Sequence, residues 1–192
     1  MHARGSPSLG PVGRFGVTLA NVSTERLDGT AQPDAAEQFL RDFLTSATPQ
    51  QRHTFVRRAN YDTGEALVRH VLDDPTTDRA TALAAYWILG AGYYCRYASA
   101  DEVPEPDRPT WQLLRTIEER YAAGFWADHG IAFDPADDDE IDWTEGEGDD
   151  PEPYPVPDVM LRAVPGELVD DAGTEDGMPL DVHLRYSALA AG

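Results

Sequence analysis

Residues Ala80 to Tyr94 read ATALAAYWILGAGYY, and this stretch decides the fold. It carries no charge and almost no polar side at helical spacing, so a helix made from it has to be buried all round. Thr77-Asp78 opens it, and Gly90 and Gly92 weaken its last turn while permitting close approach of a neighbouring backbone. The expectation is one buried apolar helix over about 78–95, with the rest of the chain packed around it.

The flanking sequence supplies the packing partners. Upstream, Pro33 suits a first helical turn, and Phe39, Leu40, Phe43 and Leu44 then form one apolar stripe. Thr48-Pro49-Gln50-Gln51 is a second start signal, a hydroxyl cap followed by Pro, for a helix running to about Arg58. Asp62-Thr63-Gly64-Glu65 resembles a capping box ahead of Leu67, Val68, Val71 and Leu72. Asp74-Pro75 ends that helix, because the residue before Pro is pushed out of the α region. Downstream of Pro109, Trp111, Leu114, Ile117, Tyr121 and Phe125 recur three or four apart, which predicts another helix. Phe15 to Val22 and the alternating Asp181 to Tyr186 read as short terminal strands. The fold class is therefore mainly α: a compact orthogonal helical domain around one buried helix, with an irregular acidic C-terminal region.

Charge divides the chain along the same line. All 15 basic residues are Arg, against 35 acids, for a formal charge of −20. Residues 1–133 hold 17 acids and 13 Arg, while 134–192 hold 18 acids and 2 Arg. The organisation expected is an N-terminal extension, partly disordered, over 1–30, a helical core over 31–133, an acidic loop over 134–154, and a C-terminal segment over 155–192 that docks on the core. Net charge of this sign argues against nucleic-acid binding. A chain without Lys cannot be a P-loop nucleotide hydrolase, a Schiff-base enzyme, a protein kinase of the usual kind or a Ser–Lys hydrolase. One cysteine, Cys95, excludes an internal disulfide framework and a four-thiolate zinc site. No secretory signal is read, and the longest near-apolar stretch, Ala82 to Tyr94, falls short of the roughly 18 residues a membrane span needs. The localisation expected is cytoplasmic.

Chemistry-bearing residues are few. His2, His53, His70, His129 and His183 are scattered, with no pair at i, i+4, so no helical zinc site is read. His53 and His70 are expected at the surface or at helix ends. Cys95 stands beside Arg96, which favours a thiolate in principle, but no signature links it to a base. The run 134–152, DPADDDEIDWTEGEGDDPE, fails the calcium-loop pattern: counted from Asp138, the sixth position is Trp143, where Gly is required. No catalytic residue, cofactor site or metal site is assigned. Its acids Asp137, Asp138, Asp139, Glu140, Asp142, Glu145, Glu147, Asp149 and Asp150 are either a solvated loop or a surface that captures a basic partner. A candidate functional cluster comprises Asn60, Tyr61, Asp62, Asp78, Tyr93 and Tyr94, although Asn and Asp between helices ordinarily serve as caps and turns.

The same residues carry a resemblance. Asn60, Tyr61, Asp62 and Gly64, then Asp74-Pro75, Asp78, Thr81-Ala82-Leu83, Tyr86-Trp87, Gly92 and Tyr93-Tyr94 come in the order of a bacterial family known as domain of unknown function 4274. The likeness extends over about 55–166, taking in GFWADHGIAFDP (124–135) and PVPDVMLRAVPG (155–166). It departs from the family pattern between Tyr61 and Asp62, where one residue is missing. The resemblance implies a bacterial, intracellular helical domain and brings no established activity, hence no catalytic residue.

Three functions are compatible with these readings. The first is a non-enzymatic protein-binding module, including an immunity or inhibitor protein that meets a basic toxin with an acidic surface. The second is a small hydrolase or ligand-binding enzyme with a site around Asn60, Asp62, Asp78 and Tyr93. The third is a housekeeping domain whose acidic segment only aids solubility.

Overall fold

The computed structural model describes residues 34–58, 61–145 and 152–191, with the side chains of 61–64 outside that description. The extension over 1–30, the strand expected over 15–22, Asn60, Glu147, Asp149 and Asp150 therefore lie outside the described residues.

Helices dominate. α1 (Ala35–Ser46) begins behind Asp34, whose carboxylate accepts from the Glu37 amide at 2.7 Å. α2 (Pro49–Arg58) starts with a reciprocal capping box: the Gln51 amide donates to the Thr48 hydroxyl at 3.2 Å, and the Thr48 amide to the Gln51 side chain at 2.9 Å. α3 (Tyr61–Leu72) begins one residue ahead of the cap expected at Asp62 and stops before Asp74-Pro75.

α4 (Arg79–Ile88) is the centre of the fold. Every residue from Ala80 to Trp87 is buried, and the helix packs against both α2 and α6 (Arg108–Ala122). Its cap, Asp78, takes the Ala80 amide at 2.7 Å. The same carboxylate takes the His129 amide at 2.5 Å, so one buried group starts the helix and pins the chain that follows α6. The buried helix expected over 78–95 is, however, interrupted. Gly90 takes a left-handed conformation (φ 87°), which an L side chain rarely adopts, and a separate turn, α5 (Ala91–Tyr94), follows. Glycine was a close-approach signal in the sequence; its effect is to end α4.

The second departure is at the C-terminus. Residues 181–186 are helical, within α7 (Leu180–Ala190), rather than a strand. The β structure instead lies just upstream, where β1 (Thr174–Glu175) and β2 (Met178–Pro179) pair antiparallel around Asp176-Gly177, both at positive φ. An Asp-Gly pair with that backbone is the preferred two-residue hairpin turn. The hairpin and α7 lie against α2 and α1. Among the described residues no helix is long and apolar enough to cross a membrane.

Residues 152–166 form an irregular strap rather than a helix or strand, and four contacts fix it. The indole Nε1 of Trp87 donates to the Met160 carbonyl at 3.0 Å, and Met160 is fully buried. The Tyr154 amide donates to the Cys95 carbonyl at 3.0 Å, and its hydroxyl to Glu118 at 2.9 Å. Phe133 and Val164 exchange backbone hydrogen bonds at 3.0 and 2.8 Å.

Candidate functional site

Of the cluster singled out in the sequence, the described members separate. Asp78 has no exposed surface and is spent on the two amides it caps. Tyr93 lies beyond the other end of α4, a ten-residue helix about 15 Å long. Tyr94 is buried, whereas Tyr93 is 41% exposed. Asp78 and Tyr93 therefore share no pocket.

Tyr93 belongs to a different concavity, a cleft of about 550 Å³ that the sequence did not reveal. Its floor is the broken end of the central helix, Trp87, Gly90, Gly92 and Cys95. One wall is the segment Asp142 to Glu145, and the facing wall comes from the strap through Glu152, Pro155, Val156 and Leu161. Its interior is thus aromatic and aliphatic, while Asp142, Glu145 and Glu152 are exposed carboxylates at its rim. No basic residue lines it among the described residues. The Thr144 hydroxyl and amide donate to Asp142 at 2.6 and 2.8 Å and hold its carboxyl below the usual carboxylate range, so it stays ionised.

The Trp143 wall is braced by charge. Asp138 is buried and ion-paired to Arg57, and its other oxygen accepts the indole N–H of Trp143 at 3.0 Å. Asp139 takes Arg57 at 3.1 Å and Arg58 at 2.6 Å, and Arg58 also reaches Asp171 at 2.7 Å. Asp138 and Ile141 pair across a two-residue turn in which Asp139 and Glu140 both sit at positive φ, 52° and 72°. Neither is Gly, so this turn stores strain that the Arg57 and Arg58 pairs offset. The acidic run is therefore not uniformly solvated: Asp138 and Asp139 are taken by α2, and Asp137, Glu140, Asp142 and Glu145 are exposed.

Behind the cleft floor, Glu118 is buried and accepts the Tyr86 hydroxyl at 2.7 Å and the Tyr154 hydroxyl at 2.9 Å. Arg115 lies 3.1 Å from the same carboxylate, with its guanidinium 3.8 Å from the centre of the Tyr154 ring. Burial, with Glu118 beside it, drives the Tyr86 hydroxyl far above its usual range, so this pair is a hydrogen-bonded tie rather than an acid–base couple. Burial also raises the Cys95 thiol, which donates to the Ala91 carbonyl at 3.1 Å; Arg96 does not make it a thiolate.

His53 corrects another expectation. It is a core residue 1% exposed, not a surface one, with Nδ1 3.1 Å from the Thr81 hydroxyl and its ring edge-on to Phe133. Burial, aided by Arg57, lowers its pKa to about 4, so the ring is neutral near pH 7. His70 lies against the Thr45 hydroxyl at 3.0 Å at the surface, as expected. Among the described residues no group of His, Cys, Asp and Glu is placed to hold a metal ion.

Residues 47–122 match the family described as a domain of unknown function (DUF4274). Over that segment the chain is similar to this family. The match runs from just before α2 to the end of α6, so it contains the central helix, the Gly90 break and Tyr93. Both upper walls of the cleft, 142–145 and 152–161, lie beyond the matched segment, as does the likeness drawn over 124–135 and 155–166. No curated protein and no solved structure matches the chain.

Proposed function

We propose that this chain is a cytoplasmic bacterial protein without catalytic activity that binds a basic partner protein at the acid-rimmed cleft. The observation that supports this reading is the cleft itself: an apolar, aromatic interior bounded by Asp142, Glu145 and Glu152, with no basic residue in its described lining. A concave apolar surface with a few charged groups at its edge is the usual form of a binding site. The chain's charge of −20 adds long-range attraction for a positive partner. Neutralising a basic toxin, as an immunity protein does, is the narrower form of this reading, since nuclease toxins are basic in order to hold phosphate. An enzyme reading has less to draw on, because Asp78 is a buried cap and Cys95 a neutral thiol.

The test is affinity capture from host extract at low salt with two baits, the native chain and the combined variant Asp142→Asn, Glu145→Gln, Glu152→Gln. The expected result is a basic protein held by the native chain, released as salt rises, and missing from the variant. Identical captures on the two baits, or none on either, would overturn the proposal.

A further inference from the structure

We infer that the cleft is an anchor site for an arginine side chain of that partner, a specificity that rests on the reading above. The ligand it fits has three parts. An apolar stem is needed to cover Val156 and Leu161, which line the interior. A flat cationic head is needed beside Tyr93 and Trp143, both in the lining, because aromatic faces attract cations. Donors pointing outward are needed for Asp142, Glu145 and Glu152 at the rim. Arginine alone among side chains combines a methylene stem, a planar cation and a fork of N–H donors.

Other ligand classes fit poorly. Phosphate-bearing ligands would face three carboxylates, with no basic residue in the described lining. A neutral apolar ligand would strip water from those carboxylates and give nothing in return. Lysine would satisfy the charge, but its compact, strongly hydrated ammonium gains less from a flat aromatic wall.

The chain already uses this chemistry internally. Arg115 lies 3.8 Å from the centre of the Tyr154 ring with the Glu118 carboxylate at 3.1 Å, so ring and acid together hold one guanidinium. Tyr93 itself has a guanidinium, that of Arg96, 4.2 Å from its centroid. The cleft lining repeats the combination of ring and acid.

Gly92 makes the inference testable without touching charge. It lies in the cleft floor, and a Cβ placed there meets nothing within 4 Å. Its φ is outside the positive range, so Gly92→Leu fills the cleft without backbone strain. The probe is a short Gly/Ser peptide bearing spaced arginines, with lysine and citrulline counterparts, titrated by calorimetry into the full chain. The expected result is binding of the arginine peptide about fivefold tighter than the lysine peptide and no binding of the citrulline peptide. Gly92→Leu should weaken the arginine peptide about tenfold at unchanged melting temperature, with Tyr93→Leu as a second, independent weakening variant. Equal affinity for arginine and lysine peptides, unaffected by Gly92→Leu, overturns the anchor while leaving the acidic-face reading intact. No binding of the arginine peptide to the native chain also overturns the anchor, and the capture experiment then decides the wider reading separately.

Discussion

His53 should make this protein lose stability between pH 7 and pH 5, and the loss can be worked out in advance. The ring is buried between α2 and α4, and its pKa falls from 6.5 in the ordinary state to about 4 in the fold. A group whose folded pKa is lowered in this way favours the fold only while it is neutral. Its contribution is complete above 6.5 and is lost as pH falls from 6.5 toward 4, because the unfolded chain takes up the proton first. At pH 5 the unfolded state is favoured by protonation at this one ring by a factor of about 30, against barely more than unity at pH 7, which is about 2 kcal/mol. The perturbation that isolates it is His53→Gln, whose amide can still meet the Thr81 hydroxyl but does not titrate. Urea unfolding of both proteins at pH 7 and pH 5 gives the comparison. Carboxylates common to the two chains contribute equally and cancel. The native midpoint should fall by roughly 1 M urea more than that of the variant, taking an ordinary slope for a domain of this size. Equal falls in the two proteins would show that His53 is accessible to protons in the fold, and the burial argument would be wrong.

Four further outcomes follow from the packing. Trp87→Ala removes a core ring and leaves the Met160 carbonyl without its indole donor, so thermal unfolding should show a loss of about 3–5 kcal/mol. Glu118→Ala strands the buried Arg115 guanidinium and two tyrosine hydroxyls, which should cost about 3–5 kcal/mol, whereas Tyr154→Phe, removing one hydrogen bond, should cost only about 1 kcal/mol by denaturant titration. Gly177→Ala should destabilise by at least about 1–2 kcal/mol, because φ is 75° there and a Cβ would lie 2.7 Å from the Phe55 Cα. Asp138→Asn should cost about 1–3 kcal/mol, because it neutralises the buried partner of Arg57, and should loosen Trp143, read as a red shift and greater quenching of its fluorescence.

What the sequence made legible was local. Thr48 with Gln51, Asp78 before an all-apolar run, and Asp74-Pro75 after an amphipathic one each act within a few residues, and each marks a helix boundary in the fold. The Asp176-Gly177 turn is a signal of the same kind, and the alternation of Val182, Leu184 and Tyr186 just after it competes with it as a strand signal. That alternation misled because α7 does not bury its large apolar side chains: Leu180 is 55% and Leu184 61% exposed. With no apolar face turned fully to a core, a helix loses the period that would identify it.

The site was illegible for the opposite reason, since its parts are distant in sequence. His53 meets Thr81 and Phe133, and the cleft gathers residues from Trp87 to Leu161. Nor did charge composition foretell which acids remain outward. Asp138 and Asp139 fold onto Arg57 and Arg58, and in doing so they place Trp143 beside the acids that still face solvent. The acidic run thus divides its labour along a few residues: one part is a latch to α2, and the next is the wall of the cleft. A basic partner that competed for the latch would displace Trp143 and dismantle the cleft it needs, so productive binding has to engage Asp142, Glu145 and Glu152 and leave Asp138 with Arg57. On this reasoning Asp138→Asn should weaken the arginine peptide through loss of the wall, although it removes no rim charge, and it should do so less than Gly92→Leu, which fills the cleft outright.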